Sequence, residues 1–257
     1  MIVLYATLCF AAYFVADRMI FLPPPASYSH GLGTIGLTTA DGVQISALHL
    51  PNPSAEYTIL YSHGNAEDLG LVVPVLERIR DWGFSVFAYD YRGYGTSQGR
   101  PSERGTYADI DAAYAYLTER LAIPAERIIL YGRSVGGGPA VDLAVRQRVG
   151  GLVLESAFMS AFRVLTRVPL LPCDEFRNLA KIERVSCPIL VMHGLEDDVV
   201  PVAHGRRLFD TAREPKRALW VAGAGHNDFM LVAGERQSKA VIEFADIVRQ
   251  EQSRRGR

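Results

Sequence analysis

The chain has 257 residues, 49% of them hydrophobic and 21% charged, with a formal net charge of −1. That length and balance suit one globular catalytic domain whose core needs no disulfide or metal support, and they exclude a disordered chain. They also exclude a nucleic-acid binder, which needs a basic surface to meet phosphates.

The first segment is the compositional anomaly. Residues 1–16 (MIVLYATLCFAAYFVA) carry no charge, and after Asp17 and Arg18 an apolar Met19-Ile20-Phe21-Leu22 runs into the prolines at 23–25. As a helix, such a run at ~1.5 Å per residue spans roughly 24 Å against a hydrocarbon core of ~30 Å. Tilt, local thinning or the residues past Arg18 would close that gap. Residues 1–25 are therefore expected to form an apolar N-terminal segment, a membrane-anchor helix associating through residues 1–22. The catalytic domain then occupies 26–257, cytoplasmic apart from that membrane association. An apolar helix docked on the domain or on a partner is the second reading. A cleaved signal peptide is the third, weakened because no Lys or Arg precedes the apolar run.

After the prolines, 33–39 and 43–50 read as strands joined at Asp41-Gly42, a strong hairpin signal. Apolar strand-length runs then alternate with amphipathic stretches. The strands are 57–61 (YTILY), 84–89 (FSVFAY), 128–131 (IILY), 152–154 (LVL), 189–192 (ILVM) and 218–221 (ALWV). The predicted helices are 69–82, 103–121, 136–149, 203–212 and 235–250. Strands without polar alternation are buried on both faces, so the pattern predicts a doubly wound, mostly parallel sheet with the hairpin as an antiparallel edge. The roughly thirty residues between the strand ending near Glu155 and the one starting near Pro188, which include Pro169 and Pro172, allow only a connecting helix and a loop, a minimal lid. The tail, with Arg254, Arg255 and Arg257, reads as a frayed, solvated end.

Three cysteines make no disulfide framework. Cys9 sits in the apolar run, and Cys173 and Cys187 flank a connecting segment, where free buried thiols are the expectation and their pairing stays open. With no C-x-x-C and no H-E-x-x-H, neither a metal site nor a cofactor is expected.

The chemistry is carried by Gly132-Arg133-Ser134-Val135-Gly136, a G-x-S-x-G. Alone it is a weak signal. Here the strand at 128–131 runs straight into it and a helix with a Gly-rich start follows, the strand–tight turn–helix context of a nucleophile elbow. A serine hydroxyl needs a base to take its proton. Of six histidines, His226 lies in Gly223-Ala224-Gly225-His226-Asn227-Asp228, on a loop at the C-terminal end of the last strand. His63 and His193 each precede a glycine at a strand end and are read as shaping site loops; His30, His49 and His204 are read as structural or solvated. The imidazole in turn needs a carboxylate to hold its tautomer. Three adjacent acids, Glu196, Asp197 and Asp198, follow the strand at 189–192. Donors for a developing oxyanion are expected from the backbone N–H groups of Asn65, in Ser62-His63-Gly64-Asn65, and of Val135.

With these residues in view, the chain resembles the α/β-hydrolase superfamily over roughly 33–250. More closely it is similar to the membrane-associated depalmitoylating hydrolases and their bacterial esterase relatives. The resemblance rests on Ser62-His63-Gly64-Asn65-Ala66-Glu67-Asp68-Leu69-Gly70, Tyr89-Asp90-Tyr91-Arg92-Gly93-Tyr94-Gly95, Tyr107-Ala108-Asp109-Ile110-Asp111-Ala112-Ala113, Ile129-Leu130-Tyr131-Gly132 and Gly223-Ala224-Gly225-His226-Asn227-Asp228. It implies a triad of Ser134, Asp197 and His226, selecting Asp197 among the three acids, and it makes the Asp90–Gly95 block a loop beside the site rather than a reactive one. The N-terminus departs from the depalmitoylases, which carry several cysteines there, and sits closer to the bacterial relatives.

The expectation is thus a serine hydrolase cleaving carboxylic esters or thioesters through an acyl-enzyme, acting on a small-molecule ester or an acylated substrate. An acyl-protein thioesterase and a serine peptidase are the alternatives. A serine at position 134 argues against dehalogenase and epoxide hydrolase chemistry, which uses a carboxylate nucleophile. A non-catalytic binding protein on the same fold would be marked by a missing triad residue, and all three are present.

Overall fold

The computed structural model describes residues 17–18, 20–29, 33–166 and 174–255. The apolar run 1–16 with Cys9, and also Met19, His30, Pro169, Pro172, Cys173 and Arg257, lie outside the described residues. Among the described residues no helix is long and apolar enough to cross a membrane.

An eight-stranded sheet organises the chain. Strands β1 (Ile35–Thr38) and β2 (Gln44–Leu50) pair antiparallel across the Asp41-Gly42 turn, where Gly42 takes a φ of +84° that favours glycine. β2 then runs antiparallel beside β4 (Ser85–Tyr89). From β4 onward every pairing is parallel, through β3 (Thr58–Ser62), β5 (Ile128–Arg133), β6 (Gly151–Glu155), β7 (Ile189–Gly194) and β8 (Lys216–Val221). The order is β1-β2-β4-β3-β5-β6-β7-β8. This is the mostly parallel sheet with an antiparallel edge hairpin expected from the alternating runs, and the α/β-hydrolase fold that the family resemblance implies.

In chain order the helices are α1 (Leu69–Asp81), α2 (Glu103–Ala115), α3 (Gly137–Arg146), α4 (Ala161–Thr166), α5 (Asn178–Ile182), α6 (Ala203–Thr211), α7 (Phe229–Ala233) and α8 (Glu235–Arg255). The side chains of Asp68 and Ser102 cap α1 and α2 by accepting from the N–H of Leu71 and Gly105. The stretch predicted as one helix to 121 changes to a π turn at Tyr116–Arg120, before Ala122 turns left-handed and Pro124 bars continuation. The short α4, α5 and α7 are below the length at which hydrophobic periodicity is legible.

Period-two alternation along the strands sorts the core into two layers. Leu60, Phe87, Leu130 and Leu152 face α2 and α3, meeting Ile110, Ala140 and Leu143. Ile59, Tyr61, Ile129 and Val153 face the other way onto Leu76 and Ile79 of α1 and Val241 and Phe244 of α8. Each such aliphatic or aromatic side chain contributes about 1.5–3 kcal/mol by leaving water.

The predicted frayed C-terminus is instead helical through Arg255. Arg255 donates to the Ser186 carbonyl at 2.6 Å and pairs with Glu251 at 3.0 Å, while Gln252 donates to the Glu126 carbonyl at 2.6 Å. These contacts tie the end of α8 to two loops of the domain. Cys187 is buried, and that burial pushes its thiol up to about 12.

Residues 20–28, part of which reads from the sequence as N-terminal segment, lie against the domain. Phe21 is 3% exposed and packs edge-on against Phe176, the Ser27 N–H donates to Asp68 at 2.7 Å, and the Tyr28 hydroxyl donates to Asp90.

Candidate active site

β5 ends at Arg133 and the chain turns sharply into α3. Ser134, at the turn, has a φ of +51°, a conformation that costs a non-glycine residue about 1–3 kcal/mol. The turn closes only because its neighbours are small. A Cβ on Gly132 would lie 2.5 Å from the Gly136 carbonyl oxygen, and one on Gly136 would strike the carbonyl oxygens of Ser62 and His63. This is the local reason for glycine two residues either side of the serine.

His226 lies on the loop between β8 and α7. That loop is stitched to the one after β7: the Gly223 N–H donates to Glu196 Oε1 at 3.1 Å, and the Glu196 N–H donates to the Ala224 carbonyl at 3.0 Å. The Gly225 N–H is taken up by Asp228 at 2.7 Å. The three sequence-predicted residues meet here. His226 Nε2 is 3.1 Å from Ser134 Oγ, and His226 Nδ1 is 2.8 Å from Asp197 Oδ2. Asp197 Oδ1 accepts the N–H groups of Val199 (3.0 Å) and Val200 (2.7 Å).

Of the three adjacent acids only Asp197 is buried; Glu196 and Asp198 are exposed. Burial alone would raise its carboxyl, but hydrogen bonds from His193 and His226, the imidazole charge of His226 and the Val200 N–H hold it well below the usual carboxylate range. His193, read from sequence as a loop-shaping residue, lies 3.2 Å from Asp197 Oδ2 and 2.7 Å from the Val200 carbonyl.

On the opposite side, β3 delivers His63-Gly64-Asn65. His63 is fully buried, 3.3 Å from Asp90, and its carbonyl accepts the Tyr91 hydroxyl at 2.7 Å. Burial opposes the charge on His63, and Asp90 more than offsets it, raising the imidazole above its ordinary value. The Asp90–Gly95 block therefore braces this loop. The Asn65 carboxamide is committed elsewhere: its oxygen accepts from Tyr94 Oη (2.7 Å) and the Leu22 N–H (2.9 Å), and its nitrogen donates to the Ile20 carbonyl (2.5 Å). Only the backbone of Asn65 is left to face a substrate.

Ser134, His226, Asn65 and Val135 border one cavity of about 460 Å³. Its apolar wall includes Ile20, Leu22, Phe158, Phe162, Val164 and Val199. None of these six was placed at the site from sequence: Ile20 and Leu22 read as part of the apolar N-terminal segment, and nothing local distinguishes a pocket-lining Phe or Val from a core one. Arg133, Glu67 and Glu155 were missed as well. Their only sequence signal is a charge at or just past the end of an apolar strand.

The hydroxyl–imidazole–carboxylate chain, the elbow and the strand order together define an α/β-hydrolase site, and the chain belongs to the α/β-hydrolase superfamily. It is 42% identical over 251 residues to the human α/β hydrolase domain-containing protein 17B, an alignment covering 84% of this chain and 86% of that one. It is 45% identical over 189 residues to the α/β hydrolase domain-containing protein aho-3 of Caenorhabditis elegans, covering 71% of this chain but only 56% of the relative. The family model Hydrolase_4, described as "Serine aminopeptidase, S33", matches residues 53–171. Among solved structures, the Pyrococcus furiosus esterase Pf2001 is similar with a TM-score of 0.72 at 21% identity, covering 88% of this chain and 98% of that one. At that identity the likeness is one of fold.

Proposed function

We propose that this hydrolase cleaves carboxylic esters or thioesters through an acyl-enzyme formed on Ser134. The observation that carries this reading is the continuous chain Asp197–His226–Ser134, at 2.8 and 3.1 Å, at the edge of an apolar cavity. Ser134 Oγ attacks the carbonyl carbon while His226 Nε2 takes its proton, and Asp197 stabilises the resulting imidazolium. The N–H groups of Asn65 and Val135 receive the negative oxygen of the tetrahedral intermediate. His226 then protonates the departing alcohol or thiol. Water, deprotonated by the same imidazole, attacks the acyl-serine and releases the acid.

The cavity supports an acyl group as the part recognised, since most of the residues that line it are apolar. The carrier is left outside, consistent with a bulky or lipid-borne leaving group. Membrane association through the uncharged run 1–16 belongs to the same reading: that run leads through Asp17 and Arg18 to Ile20 and Leu22 on the cavity wall.

The test is active-site titration with a fluorophosphonate probe, followed by a p-nitrophenyl ester series of increasing chain length alongside matched thioesters. Stoichiometric labelling lost in Ser134→Ala, with turnover rising from acetyl to longer chains, is the expected result. An unlabelled, inactive wild-type protein would reject the reading.

A further inference from the structure

Arg133 occupies the first unspecified position of the G-x-S-x-G turn, yet its guanidinium touches the loops that carry Asn65 and His226 and the end of β6. Nη1 donates to Glu67 Oε1 at 2.5 Å, and the other oxygen of that carboxylate accepts the Gly64 N–H at 2.8 Å. The charge is thereby coupled to the loop presenting Asn65. Nη2 donates to the His226 carbonyl and to Asn227 Oδ1, both at 3.2 Å, which couples it to the histidine loop. Nε lies 3.4 Å from Glu155 Oε1 at the end of β6. Glu155 is buried and further held by the Tyr131 hydroxyl and by Gln237 at 2.8 Å. The Arg133 side chain itself is 12% exposed.

A planar guanidinium offers five N–H donors in fixed directions, so one group can span three loops; a lysine ammonium on a flexible stem cannot hold that geometry. A buried cation is also costly unless paired, and here two carboxylates meet it. Burial opposes the charge on Arg133, and Glu67 and Glu155 keep it fully protonated. Burial likewise pushes the Glu155 carboxyl up, and Arg133 opposes that.

We propose that Arg133 is a positioning residue: its guanidinium fixes the oxyanion loop and the histidine loop relative to the Ser134 hydroxyl, and neutralises Glu67 and Glu155 beside the forming oxyanion. This rests on the ester hydrolysis proposed above. Without it, the buried Glu155 and half-buried Glu67 carboxylates would oppose the oxyanion and favour the protonated, inactive His226. The other groups facing His226 stay in place: Asp197 with His193 and, behind them, His204; and Glu196 and Asp228 on the stitched loops.

The experiment compares full-length wild type with Arg133→Met, Arg133→Lys and Glu67→Gln. It reads kcat and KM for p-nitrophenyl butyrate across pH, inhibition by an alkyl trifluoromethyl ketone, and fluorophosphonate titration to count active sites. For Arg133→Met, kcat per titrated site falls on the order of 10–100-fold, while KM stays within about threefold. Ketone affinity, which depends on the same oxyanion, falls in step, and the acidic limb of kcat/KM moves to higher pH. Arg133→Lys restores the position of the acidic limb but not kcat, separating charge from geometry. Glu67→Gln moves the limb the opposite way, to lower pH. An Arg133→Met protein of lower melting temperature, but with wild-type kcat per site, ketone affinity and acidic limb, overturns the proposal. Should Arg133→Met not fold, a Glu67→Gln protein with unchanged limb and ketone affinity overturns it equally. A wild type that neither labels nor turns over rejects serine chemistry itself, a different failure.

Discussion

Asp197 reaches His226 with one carboxylate oxygen, at 2.8 Å, and gives the other to the N–H groups of Val199 and Val200. The second set of bonds fixes the plane of the carboxylate, so the first can orient the imidazole. Asp198, one residue on, points into solvent. Asp197→Asn is therefore expected to lower kcat by about four orders of magnitude, since an amide holds the wrong imidazole tautomer. Asp198→Asn is expected to stay within about twofold of wild type. Turnover of p-nitrophenyl butyrate by the two purified variants checks this; the opposite ranking would move the acid by one position.

Ser134, the proposed nucleophile, sits in strained backbone. Glycine adopts a φ of +51° without the steric penalty that serine bears. Ser134→Gly and Ser134→Ala should both lose esterase activity by orders of magnitude, but only the glycine variant should melt higher, by roughly 2–4 °C. Thermal unfolding of the three proteins in one buffer makes the comparison. A glycine variant melting at or below wild type would mean that the elbow stores no strain.

Ser134 and His226 were legible in the sequence because each announces itself locally: a small-residue turn where a strand ends, and a glycine-flanked histidine after the last strand. The choice among Glu196, Asp197 and Asp198 was not local. It depends on which carboxylate the β7 loop turns inward, and only the family resemblance singled one out. Six strands, β3 to β8, were legible as apolar runs without polar alternation, and β1 and β2 through the Asp41-Gly42 turn that joins them. The partnership of Arg133 with Glu67, Asn227 and Glu155 was illegible for the opposite reason: charges at strand ends look solvated until the topology brings three such ends together. The same holds for Ile20 and Leu22, which read as a continuation of the apolar N-terminus. Their place on the cavity wall is decided by Asn65 and Tyr94, far along the chain.

Glu175 offers a pH test of the segment behind the cavity. Its carbonyl accepts the Ala161 N–H at 2.9 Å, at the start of the helix that supplies Phe162 and Val164 to the pocket. Burial, with Asp17, Glu103 and Asp174 adding like charge, pushes its carboxyl up to about 8. The folded state thus holds a proton that the unfolded chain, with an ordinary carboxyl near ~4.3, has already released. Between those values the native state binds more protons, so stability contributed by this group falls as pH rises and is fully lost above pH 8. Glu175→Gln removes the titration. Its melting temperature should exceed that of wild type by a margin that widens from pH 5 to about pH 8. A margin independent of pH would exclude a raised carboxyl.

Two truncations separate the uncharged run from the segment that follows it. Removing residues 1–16 leaves Ile20, Phe21 and Leu22 in place, and is expected to keep kcat/KM for p-nitrophenyl butyrate within about twofold while moving the protein from the membrane pellet to the supernatant. Removing residues 1–25 takes away the carbonyl and N–H that the Asn65 carboxamide binds, two apolar members of the cavity wall, and the buried Phe21 ring. Loss of Phe21 burial alone costs about 1.5–3 kcal/mol. Freeing the Asn65 side chain loosens the loop whose N–H is to meet the oxyanion, for an expected loss on the order of tenfold in kcat/KM. The loss should be steeper for long acyl chains than for acetyl, because the wall that is missing is the one an extended chain would lie against. Equal activity and equal chain-length profiles for the two truncations would show that residues 20–22 only cover the domain and take no part in holding the acyl group.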